Sequence, residues 1–157
     1  MSDKLDNRAF NLFKIFAQYE FFLKMHGFTS ERRDGSIKLD WDKFSNEIGA
    51  QIFENKHDEL QAAINYLFNA PPKKQILKEG KLSWQGQEKD TDIKKTPQLL
   101  FSYIRRVRNN LYHGGKFSGH WFDPERSETL INSSLIILES LKEMHHPLMK
   151  ATKENHA

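Results

Sequence analysis

The chain has 157 residues, of which 38% are hydrophobic and 29% charged, a balance that predicts one globular domain with its own core. It contains no cysteine, which excludes disulfides and zinc sites built from thiolates. No apolar run approaches the roughly 20 residues of a membrane span, and residues 1–6 carry no apolar signal core. We therefore expect a cytoplasmic protein with no membrane partner.

The net charge is only +3, but it is unevenly distributed. Residues 93–122 contain no Asp or Glu and six basic residues, so this window carries +6 and the rest of the chain −3. The six are Lys94, Lys95, Arg105, Arg106, Arg108 and Lys116. A concentrated basic segment indicates nucleic-acid binding, although a solvated charged face is the alternative.

The first predicted helix covers residues 5–27 and ends at Gly27. Its apolar positions near a 3.6-residue period are Ala9, Leu12, Phe13, Phe16, Ala17 and Leu23. Further aromatic residues widen the apolar surface beyond one stripe. This width is typical of a helix that is central in the fold or that also contacts a partner.

Two shorter helices are predicted next. Asp40 is a suitable N-cap for the second, whose buried edge would be Phe44, Ile48 and Ile52, with Gly49 allowing close packing inside the helix. Asp58 is predicted to cap the third. Pro71 and Pro72 should end that third helix, since the residue before a proline avoids the helical conformation.

Residues 73–95 have no clear helical pattern. Residues 75–84 predict either a short hairpin around Glu79 and Gly80, or a structured loop that apolar side chains hold against the bundle. The segment leads directly into the basic window, so a flap over a site there is one further interpretation.

Two more helices complete the predicted fold. Thr96 and Pro97 give a strong start to the fourth, whose core stripe is Leu100, Ile104, Val107 and Leu111. Asp123 and Pro124 similarly begin the fifth, which should end near residues 145–147. We thus predict an all-α, up-and-down bundle of about five helices in residues 1–146, with a flexible C-terminal tail in residues 147–157.

The most informative motif lies at the end of the fourth helix. Arg108 is followed by Asn109 and, after four intervening residues, by His113, and Gly114 and Gly115 then stop the helix. An arginine offers a fixed charge and a planar fork of donors that suits phosphate. A histidine exchanges a proton near neutral pH. Together they would bind a phosphodiester and move its protons.

This motif resembles the signature of the HEPN family, small helical proteins of which many are RNases. The resemblance implies a HEPN-like bundle that acts as a homodimer without metal or cofactor. Its usual settings, toxin–antitoxin systems and anti-phage defence, imply control by an antitoxin or another regulatory protein. One HEPN subgroup carries a tyrosine where this chain has Gly115, so control by modification of that tyrosine is not implied here.

In the implied reaction a base removes the proton from a 2′-hydroxyl, whose oxygen attacks the adjacent phosphorus, and an acid protonates the leaving 5′-oxygen. The predicted catalytic residues are His113 as base or acid, Arg108 for charge on the phosphoryl oxygens, and Asn109 for orientation. DNA lacks the 2′-hydroxyl, so RNA is the expected substrate. The predicted RNA-binding residues are Arg105, Arg106, Asn110, Tyr112 and Lys116.

Residues five apart on a straight helix lie about 140° and roughly 7.5 Å apart, so Arg108 and His113 would not converge on one ligand. Either the helix ends at Tyr112 and His113 swings on the glycines, or two copies face each other across a two-fold axis. The resemblance favours the dimer.

Two alternatives remain beside the enzyme. In the structural alternative, Arg108 complements the helix dipole and His113 caps the last carbonyls. In the functional alternative, the chain is a non-catalytic HEPN-like module that binds RNA, a nucleotide or a protein. The spacing of His120, His145 and His146 does not predict a metal site, and the aromatics of residues 117–122 favour core or dimer contacts over base stacking.

Overall fold

Helices dominate the computed structural model, which describes residues 2–86, 94–112 and 123–152. That part of the chain contains six α-helices, one 3-10 helix and two separate antiparallel sheets of two strands each. In chain order the elements are α1 (Ser2–Met25), β1 (Thr29–Glu31), β2 (Ile37–Leu39), α2 (Trp41–Glu47), the 3-10 helix Gly49–Glu54, α3 (Asp58–Asn69), β3 (Lys74–Lys78), β4 (Lys81–Gln85), α4 (Pro97–Tyr112), α5 (Pro124–Met144) and α6 (His146–Thr152). The all-α prediction is therefore right in its main content, but it missed one helix and the β1–β2 sheet, and it gave the β3–β4 hairpin only as an alternative.

The long helix α1 lies at the centre of the packing, against α5 and α6. It ends as predicted at Gly27, which has a φ of +78°, and the amide of Phe28 reaches back to the carbonyl of Leu23 at 2.9 Å. The core side chains that α1 contributes are Leu5, Leu12, Ile15, Phe16, Tyr19, Phe22 and Leu23. Its other face leaves several aromatic side chains exposed, as the wide apolar pattern predicted.

The second helix begins as predicted and ends earlier. The Asp40 carboxylate accepts a hydrogen bond from the amide of Lys43 at 3.0 Å, but α2 ends at Glu47, before Gly49. A Cβ atom added at Gly49 would lie 2.5 Å from Cε2 of Phe101 on α4. The glycine therefore allows α4 to approach the chain where α2 gives way to the 3-10 helix.

The third helix begins at Asp58 itself, so the prediction that Asp58 is the cap is wrong by one position. The cap residue is His57, whose side chain makes no capping hydrogen bond. Asp58 instead places its carboxylate in the first turn, where negative charge suits the helix dipole. The helix ends at Asn69, in agreement with the stop predicted from Pro71 and Pro72.

The hairpin alternative is correct for the segment before α4. Strands β3 and β4 pair in an antiparallel register that places Lys78 opposite Lys81. The two turn residues, Glu79 and Gly80, both have positive φ, at 52° and 76°. This is the backbone that a two-residue hairpin turn requires, and it twists the strands in their preferred sense. Residues 87–93, the rest of the predicted loop, lie outside the described residues.

The end of the chain differs from the prediction. Asp123 has a left-handed φ of 46° and no side-chain capping bond, although Pro124 does begin α5. After α5, residues 147–152 are not tail but part of α6, in which Leu148 and Thr152 are buried. Pro147 was interpreted as a stop, yet proline is also accepted in the first turn of a helix. Residues 153–157 lie outside the described part.

Candidate nucleic-acid interface

The helix α4 positions most of the predicted site. Its start is fixed by Thr96, whose hydroxyl accepts a hydrogen bond from the amide of Leu99 at 3.2 Å. Leu100, Ile104 and Val107 turn one side of α4 into the core, so the polar residues between them face outward. Four of these polar residues form two helical neighbour pairs, Arg105 with Asn109 and Arg106 with Asn110.

The outward side of α4 borders an open groove of about 510 Å³, here called the basic groove. Its walls come from α4, the first residue of α2 and the start of β3. The lining residues are Trp41, Lys74, Gln75, Ser102, Arg105, Arg106, Arg108, Asn109 and Asn110. Four of the nine are cations and three are amides. A groove with these groups suits an anionic chain that also offers hydrogen-bond donors and acceptors.

Arg108 is held between two helices. One of its terminal nitrogens donates to the carboxylate of Glu20 on α1 at 2.9 Å. The guanidinium carbon lies 4.9 Å from the ring centre of Phe16 and 5.6 Å from that of Tyr112. Its Nε is buried without a hydrogen-bond partner. The charge of Arg108 is thus paired, and its guanidinium plane is packed against rings, within the same chain. Arg108 also borders the basic groove.

Arg105 lies deeper in the groove wall. Its guanidinium is 5.7 Å from the ring centre of Trp41, and its Nε donates to the carbonyl of Phe101 at 3.4 Å. Burial lowers the pKa of Arg105, as does the like charge of Arg108, while Asp42 acts in the opposite direction. Arginine still remains cationic in proteins. Arg105 therefore brings a partly dehydrated positive charge, which interacts more strongly with an anion than a fully hydrated one.

Arg106 and Asn110 hold the connection that leads into β3. Arg106 donates to the carbonyl of Pro72 at 3.1 Å, and the Asn110 amide donates to that of Lys73 at 2.9 Å. Arg126 on α5 donates to the carbonyls of Ala70 and Pro71, at 3.2 and 2.9 Å. Side chains thus donate hydrogen bonds to four consecutive backbone carbonyls, those of residues 70–73. Two predicted RNA-binding residues also anchor the hairpin.

The remaining predicted residues are placed differently. Asn109 is exposed on the groove wall. Tyr112 points to the opposite side of α4, where its ring lies 5.4 Å from that of Phe13. Burial raises the pKa of Tyr112 and so does the nearby Glu20, while Arg108 opposes them. Tyr112 and Phe13 border a second, apolar groove of about 400 Å³ between α1 and α4.

His113 and Lys116 lie outside the described residues, together with the two glycines and the aromatics of residues 117–122. The roles predicted for them remain predictions. The described structure does bring five predicted residues to one groove: Arg105, Arg106, Arg108, Asn109 and Asn110.

Sequence reasoning missed several partners of the site. Lys74 and Gln75 belong to the hairpin, whose position against α4 is a tertiary feature, although the pair Lys73–Lys74 was a visible basic signal beside it. Trp41 was not among the predicted site residues. Glu20 was not singled out, because α1 carries several other charged residues and nothing in its sequence marks this carboxylate as the partner of Arg108.

Residues 2–86, 94–112 and 123–152 contain no group of three or more His, Asp or Glu side chains placed to hold a metal ion. Among the helices described, none has both the length and the apolar character needed to cross a bilayer. Comparisons with protein-family models, with curated proteins and with solved structures give no match in any of the three.

Proposed function

We propose that this protein is a metal-independent endoribonuclease of HEPN type, which binds RNA in the basic groove and acts in the cytoplasm. The observation that carries the proposal is the set of four cations in that groove, three of which lie on α4 in the turns that precede His113 in the sequence. The spacing of Arg108, Asn109 and His113 adds the HEPN signature. A mostly helical fold is compatible with the up-and-down bundle of that family.

In the proposed reaction the RNA supplies its own nucleophile. His113 removes the proton of a 2′-hydroxyl, whose oxygen forms a bond to the adjacent phosphorus while the bond to the 5′-oxygen breaks. An acid, the second His113 of a dimer, returns a proton to that leaving oxygen. Arg108 stabilises the charge on the phosphoryl oxygens, and Asn109 orients the phosphate. The products carry a 2′,3′-cyclic phosphate and a free 5′-hydroxyl.

The basic groove supplies positioning in this scheme. Lys74, Arg105 and Arg106 would contact the phosphates on either side of the scissile bond, which supplies affinity without sequence preference. Binding should therefore weaken steeply as salt rises. The amide of Asn109 adds a hydrogen-bonding group beside the phosphate path. Lys116 belongs to the same proposed surface, whereas Tyr112 lies on the opposite side of α4 and is not part of the phosphate path.

A homodimer completes the proposed site, because Arg108 and His113 of one straight helix would not converge. The apolar groove beside Tyr112 supports an interface at α1 and α4. Phe10, Phe13 and Tyr112 are exposed there, and their rings form a row with neighbouring centres 6.1 and 5.4 Å apart. Light scattering should give twice the subunit mass for the wild type, and Phe10→Asp with Phe13→Asp should give the monomer. Control by an antitoxin or another regulatory protein is part of the same proposal.

Cleavage of a mixed RNA pool in EDTA tests the enzyme. The wild type is compared with His113→Ala, Arg108→Ala and a matched charge control, Arg33→Ala, which removes an exposed arginine from the β1–β2 turn, outside the groove. The expected result is cyclic-phosphate ends from the wild type and the control, and loss of at least about a hundredfold in both site variants. Equal cleavage by all four proteins, or none by folded wild-type dimer, would refute the proposal.

A second candidate function is favoured by the contacts of Arg108. This arginine is paired with Glu20 and stacked on Phe16, so it has a structural role without a substrate. The chain would then be a non-catalytic HEPN-like module that binds RNA. The same experiment separates the two candidates when RNA binding is measured beside it. Salt-dependent binding without cleavage supports the module, and cleavage that depends on His113 supports the enzyme.

A further inference from the structure

The tip of the β3–β4 hairpin presents an apolar pair to solvent. Leu77 and Leu82 are 72% and 73% exposed, more than any other large hydrophobic residue in the described part of the chain. They are direct cross-strand partners, so both side chains lie on one face of the hairpin. Two adjoining leucines on a hairpin of two strands form a surface that is stabilised when something apolar covers it.

Basic residues flank this leucine pair along both strands, with Lys78 and Lys81 on the opposite face of the hairpin because side chains alternate between faces. Lys78 and Lys81 are cross-strand neighbours next to the turn, and Lys73 and Lys74 lie at the base of the hairpin. All four lysines are exposed, and Glu79 is the only acid in residues 73–85, so the segment carries +3. An occupant that lies along the hairpin therefore meets positive charge at its edges and tip beside the apolar pair, which suits an anionic chain with an apolar face.

The leucine pair is continuous with the basic groove. Gln75 borders the groove, and Leu77 lies two residues further along the same strand, hence on the same face about 7 Å away. On β4 the same face carries Leu82 and Trp84. The anchoring of residues 72 and 73 by Arg106 and Asn110 fixes the hairpin base to α4. An extended chain that is bound in the basic groove and continues along β3 would therefore reach the leucines.

We propose that the β3–β4 hairpin is an arm that holds unpaired RNA, with the lysines on phosphates and Leu77 and Leu82 against an exposed base. Unpaired RNA joins a charged backbone to base faces that are free to contact apolar side chains. In a duplex those faces are stacked and the major groove is too narrow to admit side chains. The inference deepens the proposed function by naming its substrate class, single-stranded RNA, and it rests on RNA binding in the basic groove.

Binding to uncleavable RNA tests the arm. The probes are a fluorescent 2′-O-methyl single strand without self-complementarity and the duplex of the same length, neither of which has the attacking hydroxyl. The wild-type protein is compared with the double variant Leu77→Ser, Leu82→Ser. Ile37→Ser is the matched control, because Ile37 is also an exposed apolar residue on a two-stranded sheet. Circular dichroism and thermal unfolding establish that all three proteins are folded.

The expected result is tighter binding of the single strand than of the duplex by the wild type and the control. The double variant should lose about tenfold in affinity for the single strand and stay nearly unchanged on the duplex. An equal loss on both probes, or no loss on the single strand, overturns the arm. Leucine-dependent binding to vesicles of phosphatidylserine and phosphatidylcholine, with no effect on RNA, also overturns it and points to a membrane surface.

The outcomes also separate this inference from the proposed enzyme. If single-strand binding needs the leucines but ordinary RNA is never cut, the arm stands and the RNase fails. If RNA is cut through His113 and the leucines have no effect on binding, the RNase stands and the arm fails. If the wild type binds neither probe, the arm is refuted, and cleavage of ordinary RNA alone decides on the RNase.

Discussion

The Arg108 guanidinium on α4 donates to the Glu20 carboxylate on α1 at 2.9 Å, across 88 positions of sequence. The pair is partly exposed, with 23% and 29% of the two side chains accessible. Glu20 thus fixes where the predicted phosphate-binding arginine points. The two residues connect the central helix of the fold to the candidate site.

Replacing Glu20 should weaken the fold and free Arg108 together. We expect Glu20→Ala to lower the free energy of unfolding by about 1 to 2 kcal/mol, because the guanidinium loses its charged acceptor while its Nε already lacks one. Glu20→Gln retains an acceptor and should lose less. Urea unfolding measures both, with Glu47→Ala as an exposed glutamate control. A loss equal to that of the control would show that the pair contributes nothing.

The close approach of Gly49 and Phe101 predicts that Gly49→Ala destabilises the protein. The added methyl would lie 2.5 Å from a ring that is fully buried, so ring and helix must shift. We expect a loss of about 1 to 3 kcal/mol in the free energy of unfolding. The matched control is Gly86→Ala, where an added Cβ meets no atom within 4 Å. Similar denaturation midpoints for the two variants would contradict the prediction.

Tyr19 should make the fold sensitive to alkali. Its buried hydroxyl donates to the Leu138 carbonyl at 2.5 Å, and burial, with a further contribution from Glu139, raises its pKa well above the usual value. The unfolded chain releases this proton first, so stability is full below the unfolded pKa of about 10 and falls as pH rises through it. Tyr19→Phe should lose about 1 kcal/mol at neutral pH and show a smaller alkaline decline. Parallel urea titrations between neutral and alkaline pH measure this, and an unchanged alkaline slope would count against it.

His145 should make the fold sensitive to acid, so its contribution to stability changes with pH in the opposite direction. Burial and the nearby His26 lower its pKa, and its ring packs edge-on against Phe22, with ring centres 6.1 Å apart. The unfolded chain binds the proton first, so stability is full above the unfolded pKa of about 6.5 and falls as pH drops below it. His145→Gln should reduce that acid slope. Thermal unfolding from neutral to acid pH tests this, with His57→Gln at an exposed histidine as control; equal slopes in wild type and His145→Gln would disprove it.

The elements that were predicted correctly depend on neighbours in sequence. Asp40 caps α2 through the amide three residues later, and Glu79 with Gly80 supplies the turn of its own hairpin. These signals work because the partner is local. Asp123 shows their limit, since the same pattern of a capping residue before proline predicts a side-chain cap there and the structure has none.

The candidate site was predictable only along α4. Helical periodicity separates its core residues from Arg105 and Asn109, so one wall of the groove follows from the sequence. The opposite wall depends on how the hairpin docks, and the ion pair depends on how α1 crosses α4. Neither has a signature in the spacing of residues, because both arise when distant segments pack. The helix α6 was missed for a related reason, since burial of Leu148 against the bundle stabilises it.

The anchoring of residues 70–73 imposes an order on assembly during synthesis. The hairpin leaves the ribosome before α4, and its last anchor, Arg126, comes only with α5. Until then the carbonyls of Ala70 and Pro71 lack their side-chain partner, while those of Pro72 and Lys73 already have theirs on α4. A nascent or truncated chain that stops before residue 126 therefore contains every residue that lines the basic groove but lacks the last anchor at the base of the hairpin. The base of the hairpin is fully anchored only when the chain has been made as far as Arg126.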